Sequence, residues 1–105
     1  MLQMMIREFI AICDYLEKSN AKKSKGYLII ERSALEQLLD KNKYLLSLEK
    51  LKYWRKMKWI DADDEHMTKK VCIDGKRKRC MKICIPVYKT MKELTESGKE
   101  GYKRQ

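Results

Sequence analysis

The sequence predicts a single α+β domain: a three-helix core, a basic β-hairpin and a short closing helix. Three observations carry that expectation. An apolar stripe at helical spacing opens the chain, two short helical segments separated by a polar turn follow, and two strand-like runs then flank Asp74-Gly75. At 105 residues the chain has room for one domain and not for two. Its 44% hydrophobic content is enough to build a core.

The elements follow in order. A first helix is expected from about Gln3 to Lys18, because Met5, Ile6, Phe9, Ile10, Cys13 and Leu16 recur on one face. Residues 19–26 read as a polar, basic loop, and Tyr27-Leu28-Ile29-Ile30 as a short strand. A second helix is expected from Ser33, where Ser33 and Glu36 have the spacing of a capping box, with Leu35, Leu38 and Leu39 as its apolar face. Asp40 to Lys43 forms a polar turn. A third helix then runs from about Tyr44 to Met57 on a Leu48, Leu51 and Trp54 stripe. Two short helices so joined form a helix-turn-helix arrangement.

Beyond an acidic stretch at residues 61–65, strands are expected over Met67–Ile73 and Lys78–Val87. Met81, Ile83, Ile85 and Val87 alternate onto one face of the second strand, and Asp74-Gly75 supplies the turn. Pro86 fits only near a strand end or an edge. Val87, Tyr88, Met91 and Leu94 restore helical spacing, so a short helix closes the domain near Ser97. The domain is therefore placed at residues 1–97, with a flexible basic tail at 98–105.

Charge narrows the partner. There are 25 Lys plus Arg against 15 Asp plus Glu, a formal net charge of +10. A compact domain with that excess repels itself unless a polyanion neutralises it. The four cysteines, Cys13, Cys72, Cys80 and Cys84, contain no C-x-x-C pair, and His66 is the single histidine. That spacing does not suit a structural zinc site, so the thiols read as small apolar side chains and no cofactor or metal is expected. His66 beside Asp63, Asp64 and Glu65 is a solvated acidic linker rather than a nuclease centre, and no catalysis is expected. The apolar N-terminal run is short and broken by Arg7 and Glu8, which argues against a signal peptide or membrane span; a cytoplasmic protein is expected.

The order of helix, strand, helix, turn, helix, hairpin and helix resembles the winged helix-turn-helix family over nearly the whole chain. Residues Leu51-Lys52-Tyr53-Trp54-Arg55-Lys56-Met57-Lys58-Trp59-Ile60 carry the local likeness. Leu51 and Trp54 fill the apolar slots of the third helix, and Trp59-Ile60 is the apolar pair entering the wing. Lys58 stands where the family usually has glycine, a departure at the exit from the helix. Size, Lys-rich composition and wing character also resemble winged-helix accessory proteins of conjugative plasmids in low-GC Gram-positive bacteria. That resemblance implies binding at an origin of transfer beside a relaxase or another transfer protein. A transcriptional regulator at promoter or operator DNA is the alternative, and a scaffold for an acidic protein partner the alternative of another class.

Double-stranded DNA is the expected partner, and the hairpin the main candidate for holding it. Lys69, Lys70, Lys76, Arg77, Lys78, Arg79 and Lys82 crowd into it. Phosphates would relieve their mutual repulsion with release of counterions. Lysines alone would serve to protect an edge strand, whereas arginines at a hairpin tip suit entry into a narrow minor groove. In the third helix Lys50, Lys52, Tyr53 and Lys56, with Ser47 and Lys43 near its start, are the candidate DNA-binding residues, and helical spacing turns Lys52, Tyr53 and Lys56 away from the apolar stripe toward a groove. Without Asn or Gln there, the helix is expected to position the protein on phosphates while the wing reads sequence. A homodimer is expected, with Met5 and Phe9 of the first helix and Met91 and Leu94 of the last at its interface, because pairing doubles a small contact area.

Overall fold

The computed structural model describes residues 2–62, 68–73 and 75–103, with residues 72–73 and 96–103 as backbone. It is an α+β fold of four helices against an antiparallel sheet. In chain order the elements are α1 (Leu2–Lys18), β1 (Lys22–Ser24), β2 (Tyr27–Ile30), α2 (Arg32–Leu39), α3 (Ser47–Lys56), β3 (Ile60–Asp61), β4 (Lys69–Ile73), β5 (Lys76–Cys84) and α4 (Ile85–Lys103).

The long strand β5 organises the sheet. Its C-terminal half lies between β2 and β3, pairing Leu28 with Ile83 on one side and Ile60 with Ile83 on the other. Its N-terminal half pairs with β4 alone, from Lys69 opposite Cys80 to Ile73 opposite Lys76. The strands β3 and β4 thus lie along the same edge of β5, and β4 and the first half of β5 extend beyond the packed sheet as a two-stranded ribbon. At its tip the register leaves a two-residue loop, where Gly75 takes a φ of 79°. Asp74 lies outside the described residues.

Beneath the sheet, Met5, Phe9, Ile12, Cys13 and Leu16 of α1 bury against Leu35 and Leu39 of α2, Leu51 and Trp54 of α3, and Met81 and Ile83 of β5. Phe9 sits at their centre, its ring 5.0 Å from Trp54 and 4.9 Å from Trp59. The tryptophans are core, as expected of a junction between helix and hairpin.

Several expectations need correction. The basic loop at 19–26 contains β1 and a hairpin turn at Lys25-Gly26, with φ of 49° and 87°. Positive φ at both central residues gives the turn the twist of its strands. The Ser33–Glu36 capping box does not form. The helix α2 begins one residue earlier behind Glu31, which supplies no side-chain cap, and Glu36 instead accepts from Arg32 at 2.7 Å. The second hairpin strand stops at Cys84, so Ile85 and Val87 belong to α4. Pro86 fits in the first turn of that helix, where its missing N–H leaves no bond unmade. The same helix continues to Lys103, through most of the stretch read as a tail. Finally, α3 is shorter than expected, and Leu48 is 44% exposed while Lys50 occupies the core-facing position.

The exit from α3 explains the departure at Lys58. Trp59 N–H donates to the Trp54 carbonyl at 2.8 Å and Lys58 N–H to the Arg55 carbonyl at 3.1 Å. This is a Schellman ending, and it sets Lys58 in the left-handed region at φ 61°. Asn20 closes α1 in the same way, at φ 57°. The geometry normally met by glycine is therefore kept at Lys58, at the cost of strain for a residue with a Cβ. Lys58→Gly is expected to raise stability by about 0.5–1 kcal/mol, the relief of strain exceeding the added freedom of the unfolded chain. A shift of the urea midpoint to higher concentration at constant slope checks this; Lys58→Ala, which keeps the strain, should give no such shift.

Candidate nucleic-acid interface

The ribbon of β4 and β5 presents a different set of cations on each face. Side chains alternate along a strand, and directly paired residues share a face. The register pairs Lys70 with Arg79 and Cys72 with Arg77, placing Lys70, Arg77 and Arg79 on the face continued by Met81 and Ile83. Lys69 opposite Cys80, and Lys76 and Lys78 beside it, fall on the other face, which continues to Lys82.

The second face is lined with carboxylates. Asp61 receives Lys69 at 2.8 Å and Lys82 at 3.4 Å, and Glu31 accepts from Lys78. Lys82 also lies over the Tyr27 ring, 4.4 Å from its centre. Partial burial by itself would raise the Asp61 carboxyl, but the bonds from Lys69 and Lys82 outweigh it and hold it below its ordinary value. The bond from Lys78 likewise lowers Glu31.

The first face carries Lys70, Arg77 and Arg79. Arg79 is braced by Thr68, donating to its hydroxyl at 3.1 Å and to its carbonyl at 2.8 Å. Lys70 and Arg77 are exposed, as is Lys76 at the tip, and none of the three has a hydrogen-bond or ion-pair partner among the described residues.

Along α3, Lys52, Tyr53 and Lys56 are exposed on the outer face, where helical spacing predicted them. Glu49 shares that face and receives Lys52 at 3.4 Å, which lowers its positive charge. Lys43 is exposed in the preceding turn and Ser47 is half-buried in the first turn of the helix.

Lys50 is not available for DNA: its side chain is fully buried. Its ammonium donates to Glu8 at 3.0 Å and to the carbonyls of Leu39 and Asn42 at 2.6 Å each. Leu39 ends α2, so Lys50 satisfies a carbonyl that the helix leaves open and places a cation at its negative end. Glu8 accepts in addition from Asn42 at 3.0 Å and from the Tyr44 hydroxyl at 2.6 Å. The Tyr44 hydroxyl is raised by burial and by that bond. This network ties α1 to the turn between α2 and α3, and it explains why α3 starts at Ser47 rather than Tyr44.

The dimer expectation also changes. Met5 and Phe9 are 1% and 0% exposed inside the chain's own core, so neither is free to meet a second copy. Met91 is half-buried and Leu94 is 69% exposed. The acidic stretch around His66 lies outside the described residues. No helix among the described residues is long and apolar enough to cross a membrane.

Fold and surface together define a small basic α+β protein with a cationic two-stranded ribbon and a second cationic surface on α3. The chain matches no protein-family model and no curated protein.

Proposed function

We propose that the protein is a non-catalytic, winged-helix binder of double-stranded DNA that engages its target mainly through the ribbon of β4 and β5. The observation that carries this reading is the ribbon itself, which extends beyond the packed sheet with Lys70, Lys76 and Arg77 exposed and unpaired among the described residues. Clustering like charge on a projecting element is unfavourable for the isolated protein, and phosphates offset it by neutralisation and counterion release. The element order and the Schellman exit into Trp59-Ile60 support the winged-helix reading. With Lys52 and Lys56 exposed on α3, a helix set against the backbone would position the protein while the ribbon enters a groove.

Selection of bound duplexes from a random DNA pool at near-physiological salt tests this. A recurring motif is expected, with affinity falling steeply as salt rises. The motif's place in the source replicon then decides between an accessory role at an origin of transfer and regulation at a promoter. Failure to retain any duplex sinks the reading and directs attention to an acidic protein partner.

A further inference from the structure

Away from the ribbon, the outer flank of α1 carries apolar side chains that the fold leaves uncovered. Met4, Glu8, Ala11 and Tyr15 follow one another at intervals of four, three and four residues, the spacing of a seam along which a second helix packs. Met4 and Tyr15 are 50% and 54% exposed, and Ala11 is exposed between them. Independently of the DNA-binding reading, we infer that this flank is a docking groove for an acidic amphipathic helix of another protein.

The opposite wall of the groove is the turn between α2 and α3. It closes two adjoining hollows on α1, of about 390 and 210 Å³. Tyr44 adds to the floor of the larger and Leu38 to that of the smaller, while Asn42 borders both. Glu8 is drawn inward by Lys50, Asn42 and Tyr44, so its place in the seam is a recess rather than a ridge. The α1 residues bordering the larger hollow are Met4, Arg7, Glu8 and Ala11. Those bordering the smaller are the same positions moved on by four: Glu8, Ala11, Ile12 and Tyr15. The hollows therefore lie about one helical turn apart, roughly 5–6 Å, which suits apolar side chains at positions i and i+4 of a partner helix.

The rim decides the charge of that helix. Arg7 and Lys43 border the larger hollow and Lys41 the smaller. All three are exposed, and none of their side chains has a hydrogen-bond or ion-pair partner among the described residues. Glu8, the one carboxylate among the described residues bordering either hollow, is already neutralised by Lys50. Asp40, exposed in the same turn, borders neither. A two-fold pairing with a second copy would set these cations against their own kind, and a duplex would lay hydrated phosphates on an apolar floor. Carboxylates flanking an apolar stripe satisfy rim and floor together.

The probe is a synthetic helix of about 16 residues, with leucines at i, i+4 and i+7 and alanines and glutamates elsewhere. It would be titrated into the full chain by fluorescence anisotropy, beside a scrambled peptide of the same composition. Saturable binding is expected, at least about tenfold tighter than that of the scramble. Ala11→Gln, which fills the place between the hollows without changing charge, should weaken it at least about tenfold. Arg7→Gln with Lys43→Gln should weaken it and flatten its dependence on salt. Lys70→Gln with Arg77→Gln, which removes two charges from the ribbon instead, should leave it within about twofold. Ala11 is exposed, so the thermal midpoint of Ala11→Gln should match the parent's. Absence of saturable binding, equal binding of the scramble, or a loss as large from the ribbon variant as from the Arg7/Lys43 variant overturns the groove. Ala11→Gln should also keep the parent's affinity for duplex DNA; a loss there would assign the surface to nucleic acid and overturn the proposal as well. The groove stands or falls without regard to DNA binding by the ribbon.

Discussion

Lys50→Ala is expected to destabilise the fold by about 3–5 kcal/mol, the cost of leaving a buried charge without its partner. Glu8 would remain 5% exposed with only Asn42 and Tyr44 as donors, and the carbonyls of Leu39 and Asn42 would each lose a charged donor. Against a total stability of about 5–15 kcal/mol for a typical domain, this is a large fraction. The measurement is urea unfolding followed by circular dichroism, with a double-mutant cycle through Glu8→Leu and Lys50→Met. The double variant should be more stable than the sum of its single changes predicts, because an apolar pair needs no counterion. A loss below about 1 kcal/mol for Lys50→Ala would show that the ammonium reaches water and that the network is not closed. Because Lys50 also holds the turn that precedes α3, the DNA-binding function proposed above would make the Lys50→Met/Glu8→Leu variant a weaker binder than its stability implies.

Phe9→Ala is the second large effect, with an expected loss of about 3–5 kcal/mol. Phe9 is fully buried and is the ring between Trp54, edge-on at 84°, and Trp59, tilted at 41°. Removing it takes away apolar burial and leaves a void bordered by two large, stiff rings that cannot readily close over it. Trp54 Nε1 is itself buried without a hydrogen-bond partner among the described residues, so a water drawn into such a void would have a donor waiting. Phe9→Leu, which retains most of the volume, should cost less than half as much. Equal losses for the two substitutions would mean that the ring contacts, rather than the filled volume, hold α1 to α3. Either way the damage reaches the ribbon, because Trp59 leads directly into β3 and Cys84 N–H donates to the Trp59 carbonyl at 2.8 Å.

Much of the fold was legible in local patterns. The stripe of Met5, Phe9, Cys13 and Leu16 is governed by helical geometry alone, and each of these residues is buried. The hairpin of β4 and β5 followed from Asp74-Gly75 and from the alternation of Met81 and Ile83, because strand period and turn chemistry are local properties. Lys52, Tyr53 and Lys56 were placed outward correctly by their angle to Leu51 and Trp54. Lys50 was misread because a lysine was assumed to be solvated. The available clue lay in two places at once: Glu8 falls inside the α1 stripe between Met5 and Ile12, and Lys50 falls beside Leu51 on the Trp54 face. Either charge by itself looks like a break in a pattern, and only together do they read as a pair.

The turn at Lys25-Gly26 escaped notice because lysine carries no preference for positive φ, unlike the asparagine or aspartate usual in such turns. The end of β5 was overrun because Ile85 and Val87 continue its alternation by sequence, whereas the helix that Pro86 helps to start takes them away. What the sequence by itself determined is the set of elements, the apolar faces and the excess of positive charge, since these follow from periodicity, composition and turn chemistry. Which cations are free was decided only by the tertiary structure. Whether Lys50, Lys69, Lys78 or Lys82 can reach a partner depends on the approach of Glu8, Asp61 and Glu31, and the separation of 42 positions along the chain from Glu8 to Lys50 is bridged by the fold alone.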